Sequence, residues 1–256
     1  MIGLLEAAGV TVAFGGVTAL EGVSFTAPTG SFCAVIGPNG AGKTTLFNVL
    51  TGLVRPRSGS VRYDDVELTK ASPHRLTAMG VARTFQNLAL CEGLTVVENV
   101  MLGAHHGERS DLVSVLARTP GVRRSERAVR AHAMQLLERF GLADKADSPA
   151  GGLPYGSLKR VELARALAAE PSLLLLDEPA AGLNYDASAS LRETLRELHQ
   201  EQGLSVVLVE HHMEFVMSLA DHVVVLDFGR VLAAGRPQEI VNNPDVIKAY
   251  LGADAA

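Results

Sequence analysis

Residues 37–45 read GPNGAGKTT, directly after the apolar run SFCAVIG (31–37) and directly before LFNVL (46–50). Gly37, Gly42, Lys43 and Thr44 meet the pattern G-x-x-x-x-G-K-[ST]. Glycines let a backbone curl until its N–H groups point inward at phosphate oxygens. A helix that starts there adds its positive N-terminal end. A lysine at the seventh position reaches the β- and γ-phosphates, and the following hydroxyl suits Mg²⁺. The whole stretch Gly37, Pro38, Asn39, Gly40, Ala41, Gly42, Lys43, Thr44 and Thr45 is therefore a candidate phosphate cradle. It requires a strand before it and a helix after it, which commits the chain to an α/β architecture.

A second stretch, LLLLDEP (173–179), sets Asp177 and Glu178 back to back after four leucines. Adjacent carboxylates repel, so their presence where an apolar strand ends points to a metal, a reacting water, or both. With a phosphate loop in the same chain, a parallel strand neighbouring that loop should end beside the metal. Asp177 is then the Mg²⁺ partner, through water. Glu178, one peptide further, faces the far side of the γ-phosphate and polarises an attacking water.

The chain of 256 residues, 47% hydrophobic and 20% charged, has enough apolar material for a full core. Its net charge of −5 argues against wrapping nucleic acid. The opening MIGLLEAAGV has no cationic end followed by an apolar run, and no apolar run reaches the ~20 residues needed to cross a bilayer. The two cysteines, Cys33 and Cys91, are isolated thiols without metal spacing, which fits a reducing, cytoplasmic setting.

Short strands are expected at 9–14, 22–27, 31–37 and 81–85, with a hairpin over 60–68 turning at Asp64-Asp65. Ser72-Pro73 reads as a helix start and Gly80 as its end. From about 88 to 157 the strand-like runs stop. Thr95 and Glu98 stand at capping-box spacing, and 123–140 forms a long helical stretch closed by Gly141. Arg109, Arg118, Arg123, Arg124, Arg127 and Arg130 in this block read as a solvated face. After 157 the chain alternates: a helix at 157–169, LLLLD, a helix near 186–201, SVVLVE (205–210), a helix, and HVVVLD (222–227). Apolar strands alternating with helices imply a parallel sheet covered on both faces.

The phosphate loop alone leaves GTPases, kinases and many ATPases open. Further pieces resemble, in order and spacing, the ATP-binding subunits of ABC transporters from about residue 4 to 252. Phe14 in VAFGGVTAL stands where that family stacks an aromatic on adenine. Gln86 in VARTFQN matches its glutamine loop, which contacts Mg²⁺ and the reacting water. AGLN (181–184) matches the segment that crosses the dimer interface, and His211 in VVLVEHH the switch histidine near the γ-phosphate. The family's LSGGQ signature appears as LPYGS, with Pro154, Tyr155, Gly156 and Ser157 as its nucleotide-facing residues and Ser157 at the N-terminus of the following helix. Pro154 replaces the serine whose hydroxyl touches the γ-phosphate in trans, and Asn184 replaces a common aspartate.

LPYG together with ARTFQN, LTVVENVMLG, DEPAAGLN and the tail PDVIKAYLG looks like the branched-chain (hydrophobic) amino-acid uptake branch. The resemblance implies a P-loop NTPase core with a mainly parallel sheet (1–87 and 158–256), an N-terminal antiparallel β part and an inserted helical subdomain (88–157). It implies ATP and Mg²⁺ as cofactors, with Thr44, Gln86 and Asp177 toward the metal and Glu178, Gln86 and His211 toward the chemistry. It implies a second ATP-binding subunit, the same or a related chain, and integral membrane permeases as partners. A periplasmic or extracellular binding protein would act indirectly, and the location is peripheral, on the cytoplasmic face of the membrane. A lipid or polysaccharide exporter subunit and a soluble ABC ATPase are the alternatives. DFG at 227–229 reads as a turn, since no kinase companion motifs are present. The pairs His105-His106 and His211-His212 lack a third ligand at metal spacing.

Overall fold

The computed structural model describes residues 4–64, 66–84, 88–104 and 120–253. Two sheets organise them. The first is antiparallel: β1 (Leu4–Phe14), β2 (Val17–Pro28), β4 (Ser58–Tyr63) and β5 (Val66–Glu67) lie in the order β2-β1-β4-β5. The long strands exceed the expected 9–14 and 22–27. Register shifts between Ala7 and Val10 and between Val10 and Ala13 break the period-two pattern, which hides the continuity of β1 in the sequence. The hairpin after β4 turns at Asp64, whose φ is +51°; Asp65 lies outside the described residues.

The second sheet runs β10-β9-β3-β8-β7-β6. Its strands are β3 (Phe32–Ile36), β6 (Val81–Arg83), β7 (Leu173–Asp177), β8 (Ser205–Val209), β9 (His222–Asp227) and β10 (Arg230–Gly235). All neighbours pair parallel except β9 with β10. β3, β7 and β8 are buried along their entire length. Alternation divides their side chains between two cores. Phe32, Ala34, Ile36, Leu174, Leu176, Val206 and Leu208 meet a cluster of helices. Cys33, Val35, Leu173, Leu175, Val207 and Val209 meet the antiparallel sheet and α1 (Lys43–Leu50). Each fully buried leucine contributes about 2 kcal/mol of transfer free energy, so an acid inside β7 would be costly and acids are confined to its end. Burial also pushes the Cys33 thiol up to about 12.

The remaining helices are α2 (Pro73–Ala78), α3 (Val96–Ala104), α4 (Pro120–Arg139), α5 (Tyr155–Leu167), α6 (Tyr185–Gln202), α7 (Met213–Leu219), α8 (Pro237–Val241) and α9 (Pro244–Ala253). Between 88 and 154 the described residues form α3, α4, two 3-10 turns and one bridge, Thr95 to Pro149. The capping box at the start of α3 is present: Thr95 N–H donates to the Glu98 carboxylate at 2.8 Å, and Glu98 N–H to Thr95 Oγ1 at 3.3 Å. Arg124, Arg127 and Arg130 are exposed, with Arg130 paired to Asp147 at 2.7 Å. Arg109 and Arg118 lie outside the described residues. No helix among the described residues is long and apolar enough to cross a membrane.

α3 packs on α5 so closely that a Cβ on Gly103 would run into the Arg165 backbone carbonyl. This contact ties the middle helices to the helix that follows LPYGS. Gly103→Ala gains at most ~1 kcal/mol of helix propensity, less near a helix end, while overpacking against backbone costs ~1–3 kcal/mol. The expected net effect is destabilisation by about 1–2 kcal/mol, read as a melting temperature several degrees lower. An unchanged or raised melting temperature would contradict the packing.

Candidate active site

The carboxyl ends of β3, β7 and β8 bring the predicted residues to one edge of the parallel sheet. The phosphate loop leaves β3, and Gly42, at φ +99°, caps α1. A side chain at Gly42 would meet the Ala19 carbonyl at 2.7 Å as well as adopt a left-handed backbone, so only glycine fits. The first turn of α1 carries no acidic residue, which leaves its positive end uncompensated. Lys43 is buried and folds back along the loop, donating to the carbonyls of Gly37 at 2.7 Å and Pro38 at 2.8 Å. Burial lowers its pKa from the usual lysine value, and the Glu178 charge pulls it back. The DFG segment forms the β9–β10 turn, with Phe228 exposed, and has a supporting role as well: Gly229 N–H donates to the Ala41 carbonyl at 3.1 Å. An open cavity of about 800 Å³ lies on this side, lined by Gly37, Asn39, Gly40, His211, Lys248 and Tyr250 among others.

The acids enter from one strand further away than expected. β8, not β7, is the direct neighbour of β3. Both are short, buried and mainly apolar, and the sequence pattern does not distinguish their order. Asp177 is the last residue of β7 and is buried. Burial raises its carboxyl above the usual aspartate range, with the Arg83 guanidinium opposing. Arg83 is fixed by a hydrogen bond to Thr51 Oγ1 at 2.8 Å and by the Phe47 ring, 5.0 Å from its centroid. Glu178 adopts φ +47°, a left-handed conformation that costs a non-glycine residue about 1–2 kcal/mol. Its N–H donates to Val209 O at 2.9 Å, and its side chain is about a quarter exposed. His211 Nδ1 lies 3.7 Å from Glu178 Oε1.

LPYGS differs in one respect from expectation. The helix starts at Tyr155 rather than Ser157, because Pro154, at φ −57° and ψ 149°, is already in the N-cap conformation. Ser157 is buried and its N–H is spent on the Pro154 carbonyl at 2.9 Å. The outermost amides are those of Tyr155 and Gly156. This segment packs directly on AGLN: a Cβ on Gly182 would sit 2.9 Å from the Tyr155 ring, and one on Gly156 3.2 Å from Leu183. Asn184 caps α6, accepting from Ala187 N–H at 2.9 Å.

Phe14 is 53% exposed beside the first hairpin, available to a flat ring rather than packed in the core. Gln86 and the pair His105-His106 lie outside the described residues. His212 caps α7 through Phe215 N–H at 3.4 Å, and the described residues hold no cluster of three potential His, Cys, Asp or Glu ligands. Three buried charges escaped the sequence reading: Lys159, Glu162 and Glu210. Lys159, on α5, donates to the Glu178 carbonyl at 2.5 Å; burial lowers its pKa, and Glu162, Glu210, Glu178 and Asp177 pull it back. Glu210, fully buried, ends the β8 segment. Its signal was in the sequence: SVVLVE closes an apolar strand with an acid, as LLLLD does.

A protein-family profile described as "ABC transporter" matches residues 20–181, and one described as "Branched-chain amino acid ATP-binding cassette transporter" matches residues 230–256. The chain is 43% identical over 249 residues to the high-affinity branched-chain amino acid transport ATP-binding protein BraF of Pseudomonas aeruginosa, covering 97% of this chain and 98% of that protein. It superimposes on a solved ATP-binding cassette of an ABC transporter in its ADP conformation with a TM-score of 0.84 at 32% identity, over 98% of this chain and 100% of that one. A dimeric ATP-binding cassette in a post-hydrolysis state, bound to ADP and Pi, gives a TM-score of 0.77 at 26% identity, over 91% and 98%. An uncompensated helix end behind a phosphate loop, two acids at the same sheet edge and these matches lead to one conclusion: the chain belongs to the ABC transporter family, in its branched-chain amino acid ATP-binding cassette branch.

Proposed function

We propose that the chain hydrolyses ATP to drive import of branched-chain or other hydrophobic amino acids. It would sit peripherally on the cytoplasmic face of the membrane, bound to permease subunits. The observation that carries this reading is the 43% identity to a branched-chain amino acid transport protein along nearly its full length, C-terminal segment included.

Phosphoryl transfer needs positioning and charge neutralisation more than covalent chemistry. Lys43 exchanges its bonds to the Gly37 and Pro38 carbonyls for phosphate oxygens, and the loop amides with the start of α1 hold the remaining charge. Phe14 stacks on adenine. The Thr44 hydroxyl and the Asp177 carboxylate are hard oxygen donors at the same edge. With no cluster of three protein ligands among the described residues, they suit an ion that keeps water and phosphate ligands, as Mg²⁺ does. When bound there, Mg²⁺ would neutralise phosphate charge, and Gln86 would join that side if it acts as the resemblance implies. Glu178 orients and deprotonates water, and His211, 3.7 Å away, holds the geometry of the terminal phosphate.

One relative crystallises as a dimer. In this chain a second subunit, identical or related, would present its Tyr155 and Gly156 amides to the nucleotide. Pro154 removes the hydroxyl contact, so this trans site relies on backbone donors. Residues 88–157 act as a helical subdomain beside a core of 1–87 and 158–256. An open groove of about 370 Å³ lies where they meet, lined by Leu53, Leu76, Arg83, Leu102 and Arg165 among others. Leu53 and Leu102 are exposed there, which suits docking of an apolar permease segment. Its lining includes Arg83, whose guanidinium acts on the Asp177 carboxyl, so permease movement would reach the metal side through that residue.

Three outcomes follow. Glu178→Gln keeps ATP affinity but loses turnover by about 10²-fold or more, measured as phosphate release; parent turnover would remove the base assignment. Lys43→Ala binds ATP about ten- to a hundred-fold more weakly in a direct titration, the worth of one charge-assisted bond; unchanged affinity would take Lys43 out of the site. Purified with its membrane partner and binding protein in vesicles, the complex raises its ATPase rate when a branched-chain amino acid is added. Stimulation only by unrelated solutes would contradict the import reading.

A further inference from the structure

Glu210 is the most buried carboxylate in the described residues, with no measurable exposure. Its two oxygens are fully committed. Oε1 accepts from Ala180 N–H at 2.9 Å; Oε2 accepts from His211 N–H at 2.9 Å and His212 N–H at 3.2 Å. One side chain thus fastens the segment after Glu178 to the segment carrying His211. Lys159, on α5, supplies positive charge to a buried acidic group, in which Glu162 acts on it most strongly, ahead of Glu210, Glu178 and Asp177. Its ammonium donates to the Glu178 carbonyl at 2.5 Å and lies 5.6 Å from the Tyr155 ring centroid. Glu178 is held on both sides of its left-handed residue: N–H to Val209 O, carbonyl to Lys159.

We propose that Glu210 and Lys159 are positioning residues for hydrolysis, locking Glu178, His211 and the Tyr155 segment of one chain into a single rigid unit. The inference rests on Glu178 as the residue that orients water. Neither group touches nucleotide; both act through the backbone of the residues that do. A carboxylate is required at 210 because three N–H donors face it from two directions. A glutamine amide would turn its NH₂ toward either Ala180 or the two histidines and break one fastening. At Lys159 the requirement is a cationic donor, since the buried charges of Glu162 and Glu210 have to be balanced without a water shell.

The test uses the full chain and measures phosphate release, ATP affinity by direct titration, and melting temperature, with rates divided by the folded fraction. Glu210→Gln and Lys159→Met should each lower kcat about ten-fold or more with ATP affinity within about two-fold, because a displacement of about 1 Å at a reacting group has effects of that order. The double variant Lys159→Met/Glu210→Gln removes one buried positive and one buried negative charge together. It should regain thermal stability but not kcat. Parent kcat in either single variant overturns the proposal. So does a double variant whose kcat returns with its melting temperature, because the pair would then serve charge balance alone. If Glu210→Gln does not fold, Lys159→Met and the double variant carry the same decision. Glu178→Gln runs beside them. An inactive Glu178→Gln with normal Lys159→Met and Glu210→Gln overturns this inference only, whereas an active Glu178→Gln removes the water-orienting reading and the inference with it.

Discussion

A parallel sheet buried on both faces has no place for charge along its length, so charge gathers where its strands end. That constraint organises this molecule. β3, β7 and β8 are buried along their length and mainly apolar, and their carboxyl ends deliver the phosphate loop, Asp177-Glu178 and Glu210-His211 to one edge. The same low-polarity surroundings that make these acids expensive to bury make their interactions strong once paired. Burial raising the Asp177 carboxyl and Arg83 opposing it express that balance at one residue.

Much of this was legible in the sequence. GPNGAGKTT between an apolar strand and a helix, and acids closing LLLLD, fix residue types whose chemistry leaves little choice. The alternation of apolar strands with helices after 157 gave the parallel sheet. What escaped notice depends on tertiary placement. β1 reads as a fragment because register shifts interrupt its alternation. β7 and β8 have equivalent patterns, so their order across the sheet was hidden. The helix of LPYGS begins two residues early because Pro154 acts through its backbone shape rather than a side-chain cap. Lys159 looked like any charged helical residue, and its burial appears only when α5 is laid against the Glu178 turn.

LPYGS gains a physical reading from these contacts. Its tyrosine packs on Gly182 and faces Lys159, so the departure from a serine-and-glycine signature places an aromatic between the N-terminal amides of α5 and the Glu178 turn. The middle helices reach the other end of the same helix, α5, through α3 and Gly103 against Arg165. Movement at the groove beside Leu102 therefore has a packed route, through α5, to Glu178. That route is a set of packed contacts rather than a flexible linker; under the proposed function it would link a permease's position with the geometry at Glu178.

The central claim is that one sheet edge assembles both the triphosphate cradle and two carboxylates with divided tasks. A crystal structure of the chain with a non-hydrolysable ATP analogue and Mg²⁺ tests it most directly. The account predicts the phosphate chain against the 37–45 backbone, Thr44 and Asp177 on the metal side, and the Glu178 carboxylate facing the terminal phosphoryl group across a water. Asp177 and Glu178 both remote from that group would contradict it.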